Sequence, residues 1–359
     1  MPEFCTVEGV IYIFHDLTVP MQKPKKLSEG DTIGIIAPSA GLYFQHRLDN
    51  AIKFLESQNY KVKEFSCTRK VNLWESGTAI ERARDIMDAF KDSEVKAIIA
   101  LTGGTVATQT LKYLDFDEIK KNPKIFCGYS DNTILHHAFN TQADLVTFYG
   151  PCAATQFGEY PKPLDYTLDY FNKAVASTEP IGKVNPSKEW TGEFLDWSKK
   201  LDLTRPRKLE KNKGFEWIKQ GKAEGRILGG CIESIAHLAG TKYWQDYDGS
   251  ILFLEISEGQ NFEEGDPLPY VDWYLSQLEM LGVFEKIKGM VFGRPYYTQE
   301  DLGLLKQKLV ERTSGYSFPI LFGVDIGHTD PQITVPIRVK AALDSEDNRF
   351  EFLESGVSE

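Results

Sequence analysis

The sequence contains few cysteines and no long apolar run, and each scarcity excludes a class of protein. Its five cysteines are odd in number and lack the spacing of a metal site, so a reducing compartment fits better than a disulfide framework. No apolar run approaches the roughly 20 residues that cross a membrane. The first twenty residues also lack the basic and long apolar segments of a signal peptide. We therefore expect a cytoplasmic protein in which residues 1–20 form an N-terminal extension.

An excess of acidic residues excludes one class of partner. The 359 residues include 41 basic and 52 acidic side chains, which give a formal net charge of −11. Such a surface repels a long polyanion, so we expect no nucleic-acid polymer as a partner. A small nucleotide bound in a local pocket is compatible with this charge.

The length and the pattern of apolar segments predict two domains of the α/β class. The chain is longer than the about 250–300 residues at which single cores stop growing. Strand-like and helix-like segments alternate over residues 21–185, which predicts a parallel sheet of the Rossmann or flavodoxin-like kind. Residues 186–224 are rich in lysine and tryptophan and predict a linker with a substrate loop. Residues 225–359 predict a smaller, β-rich α/β domain of the swivelling type.

A serine follows one of the predicted strands of the N-terminal domain. The strand-like run Ile125-Phe126-Cys127 leads through Gly128-Tyr129 to Ser130, and a helix-like segment begins at Asn132. A serine on such a turn is lifted from the sheet edge, and the first amides of the helix can hold a developing anion. This pattern predicts a nucleophile elbow. Its G-x-S-x-N form differs from the common hydrolase elbow, and a serine that only caps the helix is the alternative interpretation.

A nucleophilic serine needs a base and a group that orients the base. His136 and His137 follow Ser130 by six and seven residues on the same predicted helix, which places them about 9–10 Å away along its axis. His328 follows a strand-ending glycine in a loop and is the candidate base. Glu255 closes the apolar strand ILFLE and is the candidate orienting acid. A loop histidine and a turn-capping glutamate without catalytic roles are the alternatives.

A double glycine lies at the end of another predicted strand. Gly103 and Gly104 follow Leu101-Thr102 and would lie at the same sheet edge as Ser130. The absence of side chains would let a backbone amide approach a substrate carbonyl, with the Asp131 amide as the second donor of an oxyanion hole. A simple tight turn is the alternative interpretation.

The combination of these segments resembles the LD-carboxypeptidase family of serine peptidases, and within it the microcin C immunity peptidases. The resemblance runs from about Lys26 to the C-terminus and rests on these motifs: GDTIGIIAPSAG, LTGG, YLDFDEIKKNPKIFCGYSDNT, LVTFYGP, GRILGG, ILFLE and GHTDPQITVPI. By position, it implies that Ser130 is the nucleophile, Glu255 the orienting residue and His328 the base. It also implies a homodimer with neither metal nor cofactor.

The immunity-type subgroup is suggested by FYGPCAATQFGEY and by the insertion EWTGEFLDW. This insertion resembles a loop that helps to enclose an aminoacyl-nucleotide substrate, where Trp190 or Trp197 would stack on the base. The alternative is that these tryptophans pack the loop against the protein. Two departures from the family pattern bear on substrate choice: Cys231 stands where asparagine is common, and residues 105–108 read Thr-Val-Ala-Thr.

Three functional hypotheses follow. The first is a serine hydrolase that cleaves an amide of a peptidyl or aminoacyl nucleotide of the microcin C type through an acyl-enzyme, which would detoxify such a compound. The second is an LD-carboxypeptidase that releases the terminal D-alanine of muropeptides. The third, from a different class, is a non-catalytic small-molecule binder on the same scaffold.

Overall fold

A computed structural model describes residues 4–7, 10–13, 21–259 and 264–359, with the backbone alone for the first two segments. The predicted N-terminal extension, residues 1–20, therefore lies largely outside the described residues. Its described part is an antiparallel hairpin in which Phe4 pairs with Ile13 and Val7 with Val10.

Eighteen strands are found in the described part of the chain. In chain order they are β1 (Phe4–Val7), β2 (Val10–Ile13), β3 (Thr32–Ile36), β4 (Lys61–Glu64), β5 (Val95–Ala100), β6 (Ile125–Gly128), β7 (Phe148–Tyr149), β8 (Gly182–Lys183), β9 (Glu189–Trp190), β10 (Glu210–Lys211), β11 (Glu216–Lys219), β12 (Lys222–Cys231), β13 (Ile251–Glu255), β14 (Gly289–Gly293), β15 (Ile320–Val324), β16 (Val335–Pro336), β17 (Lys340–Asp344) and β18 (Arg349–Phe352).

Helices follow most of the parallel strands. They are α1 (Gln45–Ser57), α2 (Ala79–Lys91), α3 (Phe116–Lys121), α4 (Thr133–Gln142), α5 (Asp165–Val175), α6 (Ile232–His237), α7 (Leu268–Met280), α8 (Val283–Lys286) and α9 (Gln299–Arg312). Among the described residues, no helix combines the length and the hydrophobicity that a membrane crossing requires.

The first sheet has six strands in the order β16-β7-β6-β5-β3-β4. All neighbours run parallel except β16, which pairs antiparallel with β7. Strands β5 and β6 are almost wholly buried, as expected where helices cover both faces of a parallel sheet. The carboxyl ends of these two adjacent strands lead to the double glycine and to Ser130, so both turns lie at one edge of the sheet.

The second sheet has eight strands in the order β11-β15-β14-β13-β12-β17-β18-β8. Its centre, β12 to β15, is parallel, and the flanking pairs are antiparallel. Cys231 and Glu255 are partners at the carboxyl ends of β12 and β13. The predicted α/β class with two domains is confirmed.

Strand pairing crosses the domain bounds that the sequence suggested. Residues 182–183 join the second sheet, although the sequence placed them in the first domain, and residues 335–336 join the first sheet. Strand β11 lies inside the segment interpreted as a linker, yet it pairs with β15.

Direct contacts join the two domains beside the Ser130 turn. The Cys231 amide donates to Thr133 Oγ1 at 3.1 Å, and His137 Nε2 lies 3.2 Å from the Gly229 carbonyl oxygen. Helix α4, which begins just after Ser130, therefore packs on the end of β12.

Candidate active site

The turn after β6 holds Ser130 in an uncommon backbone conformation. Its φ is +65°, in the left-handed region that residues with a side chain seldom adopt and that recurs at functional sites. The hydrogen bonds found at this residue belong to its backbone: the amide donates to Tyr149 Oη at 3.0 Å, and the carbonyl accepts from Thr133 Oγ1 at 2.7 Å. Helix α4 begins without a side-chain cap, so the helix-cap interpretation of Ser130 is wrong.

The double glycine lies against the serine. A Cβ atom on Gly103 would stand 2.7 Å from Ser130 Oγ, so no side chain fits at this position. The Asp131 carboxylate ties the two turns together, because it accepts from Ser39 Oγ at 2.5 Å and from the Ala107 amide at 2.9 Å. Among the described residues, the backbone amides of Gly104 and Asp131 donate no hydrogen bond to a loop carbonyl or to a side chain. These amides are the donors that the sequence suggested for an oxyanion.

The carboxylate of Glu255 and the ring of His328 form a buried pair. Glu255 Oε2 lies 2.7 Å from His328 Nδ1, and the two side chains are 1% and 4% exposed. Gly327, with a φ of +99°, places its backbone directly on the carboxylate, where a Cβ would collide with Glu255. Two residues 73 positions apart are thus brought into contact by the parallel pairing of the second sheet.

Tyr149 joins this pair to the serine turn, and the sequence analysis missed it. Its hydroxyl donates to Glu255 Oε1 at 2.5 Å while it accepts from the Ser130 amide. Burial, reinforced by the Glu255 charge, raises the pKa of the Tyr149 phenol, so it stays protonated and can donate. Three hydrogen bonds therefore lead from the Ser130 amide through Tyr149 and Glu255 to His328, across the two domains.

The charges around His328 favour its protonated form. Burial alone would lower the pKa of the imidazole, but the carboxylates of Glu255 and Glu258 outweigh it and raise the pKa to about 10. Burial opposes the charge of Glu255, yet the facing His328 keeps the pKa of that carboxyl below its ordinary value. The second ring nitrogen, His328 Nε2, lies 3.2 Å from Glu258 Oε2. Glu258 follows the candidate orienting acid, Glu255, by three residues.

A cavity of about 390 Å³ opens beside His328 and Glu258. Trp197 lies in its wall, with the Arg47 guanidinium 4.5 Å from the ring centroid. Trp190 does not line this cavity: it pairs with β10, and the Arg294 guanidinium lies over its ring at 5.2 Å. Further aromatic side chains in the wall are Phe44, Tyr129, Phe194 and Tyr296.

Two arginines line the cavity, and each is paired with carboxylates. Arg207 Nη2 lies 2.9 Å from Glu159 and 2.8 Å from Asp330, two residues after His328. Arg47 pairs with Asp202 at 3.3 Å. The segment between β9 and β10, which carries Arg207, is thereby fixed to the loop of the candidate base.

One group of side chains among the described residues could offer ligands to a metal ion. The ligand atoms of Cys231, Glu255 and His328 lie within 4.8 Å of one another, and all three residues are buried. The Cys231 thiol already donates to Glu233 at 2.8 Å, and burial together with Glu233 raises its pKa well above the ordinary value. Cation binding here would require these hydrogen bonds and the Glu255–His328 bond to break.

The histidines that distance excluded as bases have structural contacts. His136 Nε2 lies 2.8 Å from the Gly128 carbonyl oxygen, and His137 contacts the end of β12. Burial lowers the pKa of His136 to about 3 and that of His137 to about 4, so both rings are neutral near pH 7.

Comparisons with known proteins find two matching family models and relatives that span most of the chain. Residues 33–150 match the LD-carboxypeptidase N-terminal domain, and residues 224–343 match the LD-carboxypeptidase C-terminal domain. The Microcin C7 self-immunity protein MccF of Escherichia coli is 30% identical over 340 residues, which cover 92% of this chain and 96% of that protein. The probable murein peptide carboxypeptidase of Bacillus subtilis is 32% identical over 343 residues, covering 94% and 96%.

Solved structures show the same similarity. MccF in complex with glutamyl sulfamoyl guanosine superposes with a TM-score of 0.86 at 29% identity, covering 94% of this chain and 99% of that one.

Proposed function

Since the chain belongs to the LD-carboxypeptidase family and is a serine carboxypeptidase-like enzyme, we propose that Ser130, Glu255 and His328 are its catalytic triad. The observation that carries this proposal is the buried Glu255–His328 hydrogen bond, joined through Tyr149 to the serine turn. In each reaction cycle Glu255 would fix the ring so that Nε2 faces the cavity and accepts a proton.

The chemistry proceeds through an acyl-enzyme. His328 Nε2, in its neutral form, removes the proton of Ser130 Oγ, which attacks the substrate carbonyl carbon. The amides of Gly104 and Asp131 stabilise the negative oxygen of the tetrahedral intermediate. The amide bond then breaks as His328 gives its proton to the leaving nitrogen. A water molecule, activated by the same nitrogen, hydrolyses the ester and restores Ser130.

The preferred substrate class is a peptidyl or aminoacyl nucleotide of the microcin C type, and the role is detoxification. A wall of aromatic side chains around Trp197 supports this choice, because stacking on an aromatic ring is worth about 1–3 kcal/mol per base. The MccF structures with glutamyl sulfamoyl guanosine and aspartyl sulfamoyl adenosine show that a relative holds such compounds.

The second candidate is an LD-carboxypeptidase that releases D-alanine from muropeptides. The similarity to the probable murein peptide carboxypeptidase, which is as close as that to MccF, supports it. Arg207 and Arg47, which are paired with carboxylates of the protein, could also form ion pairs with the carboxylates of a muropeptide.

A side-by-side assay tests the substrate. Purified protein is incubated with aspartyl sulfamoyl adenosine and, separately, with a muropeptide tetrapeptide, and the products are followed by mass. We expect aspartate release from the first compound and none from Ser130→Ala, whose smaller side chain keeps the turn but lacks the nucleophile. Hydrolysis of the muropeptide alone would reverse the ranking. Hydrolysis of neither, together with tight binding of either, would favour the non-catalytic binder.

A further inference from the structure

The Glu258 carboxylate contacts Nε2 of His328, the nitrogen that must act as the base. Nε2 has to be unprotonated and turned towards Ser130 when it removes the serine proton. In the structure this nitrogen faces Glu258 Oε2 at 3.2 Å, while Nδ1 faces Glu255. An imidazolium held between two carboxylates cannot act as a base. The contact between Glu258 and His328 must therefore break when substrate binds.

Within the described residues, Glu258 lacks a cationic partner of its own. Among the residues that the structure describes, His328 is the one cationic partner of Glu258, and this histidine is shared with Glu255. Two other carboxylates of the cavity, those of Glu159 and Asp330, are paired with Arg207. Once His328 becomes neutral, Glu258 has no cation left within the described part of the chain.

We propose that Glu258 binds the α-ammonium group of the aminoacyl part of the substrate and in doing so releases His328 Nε2. The inference rests on the proposed function and specifies its substrate: a free ammonium group next to the scissile carbonyl. The incoming cation replaces the imidazolium as partner of the carboxylate, and the imidazolium gives its Nε2 proton to water in the cavity. The base is then freed only when a suitable substrate is in place.

The dimensions of an amino acid suit this exchange. The α-nitrogen of an aminoacyl group lies roughly 2.5 Å from its carbonyl carbon, as standard bond lengths and angles dictate. That carbon must lie next to Ser130 Oγ, which in turn must reach His328 Nε2. A carboxylate that already contacts Nε2 is thus within reach of the ammonium group. The Glu258 side chain is 27% exposed, so it can turn from one partner to the other.

The test compares two substrates in three proteins. The substrates are aspartyl sulfamoyl adenosine and its desamino analogue, in which hydrogen replaces the ammonium group. The proteins are the wild type, Glu258→Gln, and the control Glu264→Gln, which makes the same change at an exposed position of the same loop outside the cavity wall. The quantity measured is kcat/KM for each pair.

We expect the wild type and Glu264→Gln to prefer the ammonium substrate by about 10- to 100-fold, the range of a hydrogen bond to a charged group. Glu258→Gln should lose most of this preference and should cleave the desamino analogue at least as fast as the wild type, because Nε2 is no longer paired. An unchanged preference in Glu258→Gln would overturn the inference, as would an equal loss of activity on both substrates. If the wild type cleaves neither compound, the proposed function itself fails, which is a separate outcome.

Discussion

Removal of a single oxygen atom, in Tyr149→Phe, tests the hydrogen-bonded path between the two domains. The phenol is fully buried, so phenylalanine keeps the packing and loses the two bonds that the hydroxyl makes. Glu255 then loses the donor to Oε1, and the Ser130 amide loses its acceptor. Glu255 is buried, so water cannot replace its missing donor.

The size of the effect follows from the charge on Glu255. A hydrogen bond to a charged group is worth about 1.5–3 kcal/mol, and about 1.4 kcal/mol corresponds to a factor of ten. We therefore expect kcat to fall by about 10- to 100-fold with little change in KM, because the bond orients the triad and does not contact substrate. Tyr149 also helps to lower the pKa of Glu255. Without it the carboxylate attracts a proton on His328 more strongly, so the acid limb of kcat/KM should move to higher pH.

The assay is steady-state hydrolysis of the preferred substrate from about pH 6 to about pH 11, with Tyr247→Phe as the matched control. Tyr247 is equally buried, and its hydroxyl has no partner within the described chain, so this variant should retain wild-type kinetics. A Tyr149→Phe variant that folds and keeps both the kcat and the pH profile of the wild type would show that the Tyr149 hydroxyl does not orient the triad.

Three further predictions follow from the same geometry. Gly103→Ala should abolish detectable turnover while leaving folding intact by circular dichroism, because its Cβ would displace Ser130 Oγ; normal kcat would contradict the placement of this glycine. The kcat/KM of the free enzyme should rise with pH towards the raised pKa of His328, about 10. In Glu258→Gln this rise should occur at lower pH, because one of the carboxylates that raise the pKa is gone. The same pH dependence in both proteins would show that Glu258 does not raise the pKa of His328. His136 and His137 have pKa values lowered by burial to about 3 and 4, against about 6.5 when unfolded, so their contribution is complete above about pH 6.5 and is lost as the pH falls. Two such groups give a slope of about 2.7 kcal/mol per pH unit below about pH 6, and urea unfolding that shows no acid destabilisation between about pH 6 and pH 5 would contradict their buried, neutral state.

Local sequence signals could predict the ends of the buried strands. Glu255 closes four apolar residues, and His328 follows a glycine at the end of another strand, so each could be singled out from the pattern of its neighbours. Their hydrogen bond depends on the order of β13, β14 and β15 in the second sheet, which no local pattern specifies. The helix-cap interpretation of Ser130 is likewise contradicted by the missing side-chain cap in the structure, which its neighbours in sequence could not show.

Contacts between domains could not be predicted in this way. Tyr149 stands beside Gly128 in the first sheet and reaches Glu255 of the second, a relation that requires both sheets to be placed. Its one sequence signal was its position before Gly150 in a motif that supported the family resemblance. The sequence also left Trp190 and Trp197 equivalent, whereas the path of the inserted segment brings only Trp197 of these two to the cavity wall.

The proposed triad requires that Ser130 is the nucleophile and that His328, from the other domain, activates it. Labelling with a serine-directed acylating probe, followed by peptide mass spectrometry, measures both roles. We expect one adduct per chain on the peptide that contains Ser130, none in Ser130→Ala, and a sharply lower labelling rate in His328→Ala. Labelling of His328→Ala at the wild-type rate, or an adduct on a different serine, would contradict the proposed triad.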